Sequence, residues 1–192
     1  MQALRSSVVL ALLFVASVLG LSRSARAQDQ SAAPKPLNLT AALVLTPEFC
    51  ATIDKKHNEK FEVGKAACAQ LEPALSKIFT KLTRVDDASK ATDAQIVLQP
   101  RFSEVGGTEK AFAFSTRELV ILVEWTVRDH DGKVLMLDTV QGTGKRHIGN
   151  AFTYKNNLKH IIEDSTQDMA EQSAQKIAAA PALVKLSSAP VQ

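Results

Sequence analysis

Hydrophobic and polar residues alternate with a period of two along four stretches of the chain, a pattern typical of half-buried β-strands. These predicted strands cover residues 37–45, 94–105, 110–128 and 133–141. Pro100 places the second strand at a sheet edge or on a β-bulge, because proline cannot donate to a strand ladder. The Asp-His-Asp-Gly sequence at 129–132 predicts a hairpin turn between the last two strands.

Apolar residues three and four positions apart predict two helices, each with one apolar side. The first stripe consists of Ala67, Leu71, Ala74, Leu75, Ile78 and Leu82, and the second of Leu158, Ile161, Ile162, Ser165, Met169 and Ile177. Pro73 kinks the first helix or marks its first turn, and the second helix ends before Pro181. Segments 48–64, 83–93 and 142–157 are predicted as surface loops and connections.

The predicted order of elements is strand, helix, three antiparallel strands and a final helix. Two apolar helix stripes need a sheet face to cover. The pattern therefore predicts an α+β fold, a two-layer sandwich with a mainly antiparallel sheet and both helices packed on one face. We expect a single domain over 37–180, with a flexible lead-in at 28–36 and a disordered tail at 181–192.

Residues 1–27 have the three parts of a cleavable secretory signal peptide. Arg5 gives the basic start, an apolar run follows from Val8 to Leu21, and Ala25-Arg26-Ala27 has the small-x-small pattern of a cleavage site. We predict cleavage after Ala27, a periplasmic or secreted mature protein, and no integral membrane span in it. A membrane anchor is the alternative, but the run is shorter than the roughly 20 residues that a span needs.

Removing residues 1–27 changes the charge of the protein. The chain has 23 Lys and Arg against 20 Asp and Glu, and the signal peptide takes away three arginines and no acid. The mature protein is therefore neutral, without the basic excess that nucleic-acid binding requires. We predict no nucleic-acid partner.

Cys50 and Cys68 both lie in the exported part, where an oxidising compartment allows them to pair. A bridge across this span stabilises a fold by roughly 3 kcal/mol on the chain-entropy model. Two buried free thiols are the alternative, and we favour the disulfide.

No catalytic or metal-binding signature is evident. Gly142-Thr143-Gly144-Lys145 lacks the first glycine and the final Ser/Thr of a phosphate loop. The four histidines lack the paired spacing of zinc ligands, and no nucleophile elbow occurs. We therefore assign no catalytic residue, no metal ligand and no cofactor.

Phe112 and Phe114 share one face of a predicted strand, beside a Gly-Gly pair. They are candidates for an apolar contact patch that receives a partner or an acyl chain. Burial under a helix is the alternative interpretation.

Three segments resemble the small α/β envelope proteins of Gram-negative bacteria: Ala-Gln-Ile-Val-Leu at 94–98, the hairpin at 129–135 and the final amphipathic helix. That group holds the lipopolysaccharide-assembly lipoprotein, YajG-like lipoproteins and the auxiliary lipoproteins of ABC transporters. The resemblance is one of layout over about Leu37 to Ala180, and it implies a non-catalytic binding or assembly role. The chain departs from the group because no cysteine follows the predicted cleavage site, which puts a lipid-tethered role in doubt.

These observations predict a periplasmic binding or envelope-assembly module with an envelope protein or a lipid component as its partner. A secreted hydrolase without a local motif and a carrier of a lipid or small apolar ligand are the alternatives. A deep pocket with paired titratable groups favours the hydrolase, whereas a shallow groove favours binding.

Overall fold

The computed structural model describes residues 34–53, 62–108, 116–147 and 154–189. Its strands and helices are, in chain order, β1 (Leu37–Val44), α1 (Pro47–Cys50), α2 (Val63–Ser76), β2 (Phe79–Val85), β3 (Ile96–Thr108), β4 (Thr116–Asp129), β5 (Val134–His147), α3 (Tyr154–Ala179) and α4 (Pro181–Ser187). A short 3₁₀ turn at Ala88–Lys90 lies between β2 and β3. The predicted signal peptide at 1–27 lies outside the described residues, so its cleavage stays a prediction.

The described strands form one sheet in the order β2-β1-β3-β4-β5. β1 runs parallel to β2 and β3, whereas β3, β4 and β5 form long antiparallel pairs. α2 and α3 pack against each other and against the same face of the sheet, which we call the helix face. The predicted α+β fold with a mainly antiparallel sheet and two helices on one face is confirmed.

The connection from β1 to β2 and the connection from β2 to β3 cross opposite faces of the sheet. α2 carries the chain from β1 to β2, and residues 86–95 carry it back past β1 to β3. Crossovers between parallel strands are right-handed. Because the second connection runs across the sheet in the opposite direction to the first, it passes over the opposite face. Lys90 and Asp93 of the second connection border a small cleft of about 120 Å³ with Thr40 and Ala42 of β1. We call this second face of the sheet the open face. Residues 86–95 cover its β1–β2 half, and no described helix covers its β3–β4–β5 half.

The core lies between the helix face and the helices, and Trp125 of β4 is its largest fully buried side chain. The indole N–H donates to Ser173 Oγ at 2.9 Å, and the Ser173 hydroxyl donates to the Met169 carbonyl at 2.7 Å. Buried polar groups need such partners, because an unpaired one costs about 1–3 kcal/mol. This pair of hydrogen bonds fixes α3 over the middle of β4.

Two predictions around prolines and turns agree with the structure. β3 pairs with β1 only from Ile96 to Leu98, so at Pro100 one side of β3 has no strand neighbour among the described residues, and a bulge follows between Phe102 and Glu104. The 129–132 turn joins β4 to β5, and Gly132 has a φ of 84°, a conformation that glycine adopts without strain.

Residues 79–85 form a strand, although the predicted helical stripe continued to Leu82. α2 ends at Ser76, and Leu82 matches the helical spacing only because it follows Ile78 by four positions. The sequence Phe-Thr-Lys-Leu-Thr-Arg-Val is rich in aromatic and β-branched residues, which favour a strand. The prediction of four strands therefore missed β2, the edge strand beside β1.

The predicted loop at 142–157 was also wrong at both ends. β5 continues to His147, and α3 begins at Tyr154. The two glycines that suggested a loop lie inside the strand, where they have a packing role described below.

The tail predicted as disordered from 181 contains α4 up to Ser187, and only residues 190–192 lie outside the described range. Pro181 does not end the ordered chain but occupies the first turn of the new helix, where its fixed φ is favourable. Leu183 is fully buried. Ser187 Oγ accepts a hydrogen bond of 2.7 Å from the Asn38 amide, so the two ends of the described fold meet at the start of β1.

α3 lies against the backbone of β5 at Gly142 and Gly144. A Cβ atom at Gly142 would come within 2.2 Å of the Ser165 carbonyl oxygen, and one at Gly144 within 2.1 Å of the Ile161 carbonyl oxygen. Both clashes are with helix backbone, which cannot move aside as a flexible side chain can. Glycine is therefore required at these two positions for the helix to approach the strand.

Close approach lets α3 side chains close the outer edge of β5. The Thr143 amide donates to Asp168 Oδ2 at 2.8 Å, and the Thr139 carbonyl accepts from Lys176 Nζ at 2.8 Å. The same lysine donates to Asp138, and this hydrogen bond lowers the pKa of the Asp138 carboxyl below its ordinary value. Unpaired edge groups invite the addition of another chain, and here α3 side chains bond one amide and one carbonyl of this edge.

Replacement of Gly142 by alanine is expected to lower the free energy of unfolding by about 3 kcal/mol, because the added methyl group overlaps helix backbone. Gly106→Ala is the matched control, since its Cβ would meet only the flexible end of Glu104 at 3.4 Å. Urea denaturation of both variants checks the prediction. Equal stability of the two variants would contradict the close contact between α3 and β5.

Candidate functional site

α1 is a single helical turn that follows β1 and forms one wall of the candidate site. Thr46 is its N-cap, and the Thr46 Oγ1 atom accepts a hydrogen bond of 3.2 Å from the Phe49 amide. Pro47 occupies the first turn, and Glu48 adds a negative charge where the helix dipole favours one. The sequence Thr-Pro-Glu thus ends β1 and starts α1 within three residues.

A groove of about 430 Å³ lies between α1 and the part of β3 that has no described strand neighbour. We call it the α1–β3 groove, and it is open to solvent. Its lining residues come from α1 and its flanks, from β3 and from β4: Thr46, Glu48, Phe49, Thr52, Gln99, Pro100, Arg101, Phe102, Glu124 and Thr126.

Aromatic stacking holds α1 against β3. The rings of Phe49 and Phe102 are stacked with their centroids 4.4 Å apart and their planes 11° apart. Phe49 is buried and Phe102 is half-buried. An aromatic pair of this kind contributes about 0.5–1.5 kcal/mol beyond its buried area. The stacked pair therefore fixes the width of the groove.

The charged side chains of the groove lie on both walls. Arg101 of β3 and Glu124 of β4 are cross-strand partners and form an ion pair on the open face. Glu48 is exposed on the α1 wall. The lining thus has two carboxylates and one guanidinium, together with Pro100 and Phe102, whose side chains lie on the helix face with those of their partners Trp125 and Val123.

A disulfide ties α1 to α2. Cys50 is the last residue of α1, and its Sγ atom lies 2.04 Å from that of Cys68 in α2. The predicted pairing is confirmed, and the alternative of two free thiols is wrong. Arg84 of β2 lies beside the bridge, with its Nη2 atom 3.7 Å from Cys50 Sγ. The covalent tether holds the short helix, and with it the groove wall, against the body of the protein.

The remaining sequence predictions concern an aromatic contact patch, metal ligands and a membrane span. Phe112 and Phe114 lie outside the described residues, so their contact role stays a prediction. Among the described ranges, no group of three or more histidine, cysteine, aspartate or glutamate side chains is arranged to hold a metal ion. None of the described helices has the length and apolar character needed to cross a membrane.

Comparison of the whole fold with solved structures finds proteins of the same architecture. A crystal structure of a Xanthomonas campestris protein of the DUF330 family matches with a TM-score of 0.54 at 7% identity, over 77% of this chain and 88% of that chain. A hypothetical protein from Chlamydia trachomatis matches with a TM-score of 0.53 at 12% identity, over 74% of this chain and 97% of that chain. A minor lipoprotein from Acinetobacter baumannii gives 0.48 at 15% identity, over 75% and 93% of the two chains.

At these identities the likeness is one of fold alone. No protein-family model matches the chain, and no curated protein matches its sequence. The comparison therefore shows the fold alone, and no specific family is shown; the predicted resemblance to small envelope proteins stays a prediction.

The groove was missed in the sequence because residues 48–64 were interpreted as a loop. Thr46-Pro47-Glu48 is a recognisable helix start, with a threonine cap, proline in the first turn and an early acid. That signal predicts α1. The meeting of α1 with Phe102 depends on where β1 stops relative to β3, which local pattern does not reveal.

Replacement of both cysteines by serine is expected to lower the free energy of unfolding by about 3 kcal/mol, since the bridge closes a loop between residues 18 apart. Urea denaturation with and without a reducing agent checks this. The reduced native protein should match the double variant. An unchanged midpoint in the double variant would show that the bridge does not stabilise the α1 wall.

Proposed function

We propose that this protein is a non-catalytic binding module of the bacterial cell envelope, which receives its partner in the α1–β3 groove. The observation that carries the proposal is the position of the groove. It lies where β3 has no strand neighbour among the described residues, and its lining includes both charged and apolar residues. Binding sites combine apolar surface with a few directed polar groups.

The shape of the groove favours binding over hydrolysis. A hydrolase needs a nucleophile and a base converging on a shielded reacting atom. The α1–β3 groove is open to solvent, and its Arg101 and Glu124 are already paired with each other. An open surface with fixed ion pairs suits recognition of a partner.

The envelope location is supported by the sequence of residues 1–27. Expression of the full chain in a Gram-negative host should give a periplasmic protein whose intact mass corresponds to a start at Gln28. The Ala27→Asp variant is the control, because a charged side chain at the cleavage site should block processing. A wild-type protein that keeps residues 1–27 would contradict cleavage and favour the membrane-anchor alternative.

Site-specific photo-crosslinking in intact cells tests the binding surface. A photoreactive residue at Gln99 in the groove should give an adduct with an envelope component. The same residue at Gln175, which is exposed on α3, is the control and should give none.

A third position, Phe114, tests the proposal that Phe112 and Phe114 form an apolar contact patch. Adducts from Phe114 alone would move the binding site to that segment and favour the lipid-carrier alternative. Adducts from all three positions, or from none, would contradict a specific binding module.

A further inference from the structure

We propose that the α1–β3 groove binds an extended peptide segment with basic side chains, which adds as a short strand to the side of β3 that has no described strand neighbour. This rests on the proposed function as a binding module and names the chemistry of its partner. Strand addition to an open sheet edge is a general mode of peptide recognition, in which main-chain hydrogen bonds give affinity and side-chain contacts give specificity.

The other two edges of the described sheet are poor acceptors for an added strand. The β5 edge is obstructed in its middle by Asp168 and Lys176 of α3, which bond the Thr143 amide and the Thr139 carbonyl. The β2 edge is only seven residues long and carries the exposed side chains of Lys81 and Arg84. Short edges with charged side chains resist pairing.

The alternation of backbone groups along β4 shows which groups of β3 are free. The Thr143 amide is bonded to Asp168 and so points away from its β4 partner, Val120. Adjacent pairs in an antiparallel ladder alternate between bonded and non-bonded. The backbone groups of Val120 and of every second residue through Thr126 therefore point toward β3.

On β3, Gln99 and Arg101 lie opposite such residues of β4, so their backbone groups are used within the sheet. Those of Pro100 and Phe102 point the opposite way, toward the groove. No hydrogen bond from α1, all of which is described, reaches them. Because proline has no N–H, this edge offers two carbonyl oxygens and one amide to an extended segment.

The charges of the groove select the side chains of that segment. Glu48 on the α1 wall and Glu124 on the sheet line the groove together with one guanidinium, that of Arg101. A lysine or arginine side chain that alternates outward from an added strand can reach these carboxylates. An acidic side chain in the same place would be repelled.

Fluorescence anisotropy of a labelled peptide with the full chain tests the proposal. The probe is Thr-Val-Lys-Val-Lys-Val-Thr, and its charge-reversed form has glutamate in place of lysine. The lysine peptide is expected to bind, the glutamate peptide to bind about tenfold more weakly or not at all, and Glu48→Gln to weaken the lysine peptide about tenfold. Glu171→Gln on the exposed side of α3 is the matched control and should change nothing.

A peptide with alternate backbone nitrogens methylated separates strand addition from simple charge attraction, since it keeps its side chains and loses its main-chain donors. Equal binding of the methylated peptide would overturn strand addition. Failure of the lysine peptide to bind, or indifference to Glu48→Gln, would overturn the proposed ligand chemistry. If Gln99 crosslinks a partner while the lysine peptide does not bind, the binding module stands and only the peptide chemistry is wrong.

Discussion

The close contact between α3 and the backbone of β5 is the constraint on which much of the structure depends. It exists because Gly142 and Gly144 present no side chain to the helix. With the helix at that distance, Asp168 and Lys176 reach the strand edge and bond the Thr143 amide and the Thr139 carbonyl. A larger residue at either glycine would move the helix away, and these two backbone groups of the edge strand would lose their partners. Packing on one face thus protects the edge of the sheet.

Because α3 lies along the β5 edge, a binding partner must use other surfaces of the sheet. Helices cover one face, and the 86–95 connection covers half of the other. What the described residues leave accessible is the β3–β4–β5 half of the open face and the side of β3 beyond Leu98. The α1–β3 groove lies where these two regions meet. Its wall, α1, is held by one aromatic stack and one disulfide, so a helix of only four residues stays in place.

Sequence patterns predicted the layers of this fold because the large apolar stripes of α2, α3 and β4 are visible at helix and strand period. They failed where a local signal had two interpretations. Leu82 fits a helical spacing but lies in a strand, and Gly142 resembles a loop residue but permits close packing. The disulfide was predictable from compartment and residue count. The groove was not, because it depends on β1 being shorter than β3, a difference in length that becomes visible only when the strands are paired.

The hydrogen bond between Asn38 and Ser187 places the beginning and the end of the described fold side by side, at the start of β1. The groove begins at the other end of that strand, eight residues and roughly 25 Å away. A reporter or affinity tag joined after residue 189 therefore starts at the end of β1 opposite the α1–β3 groove.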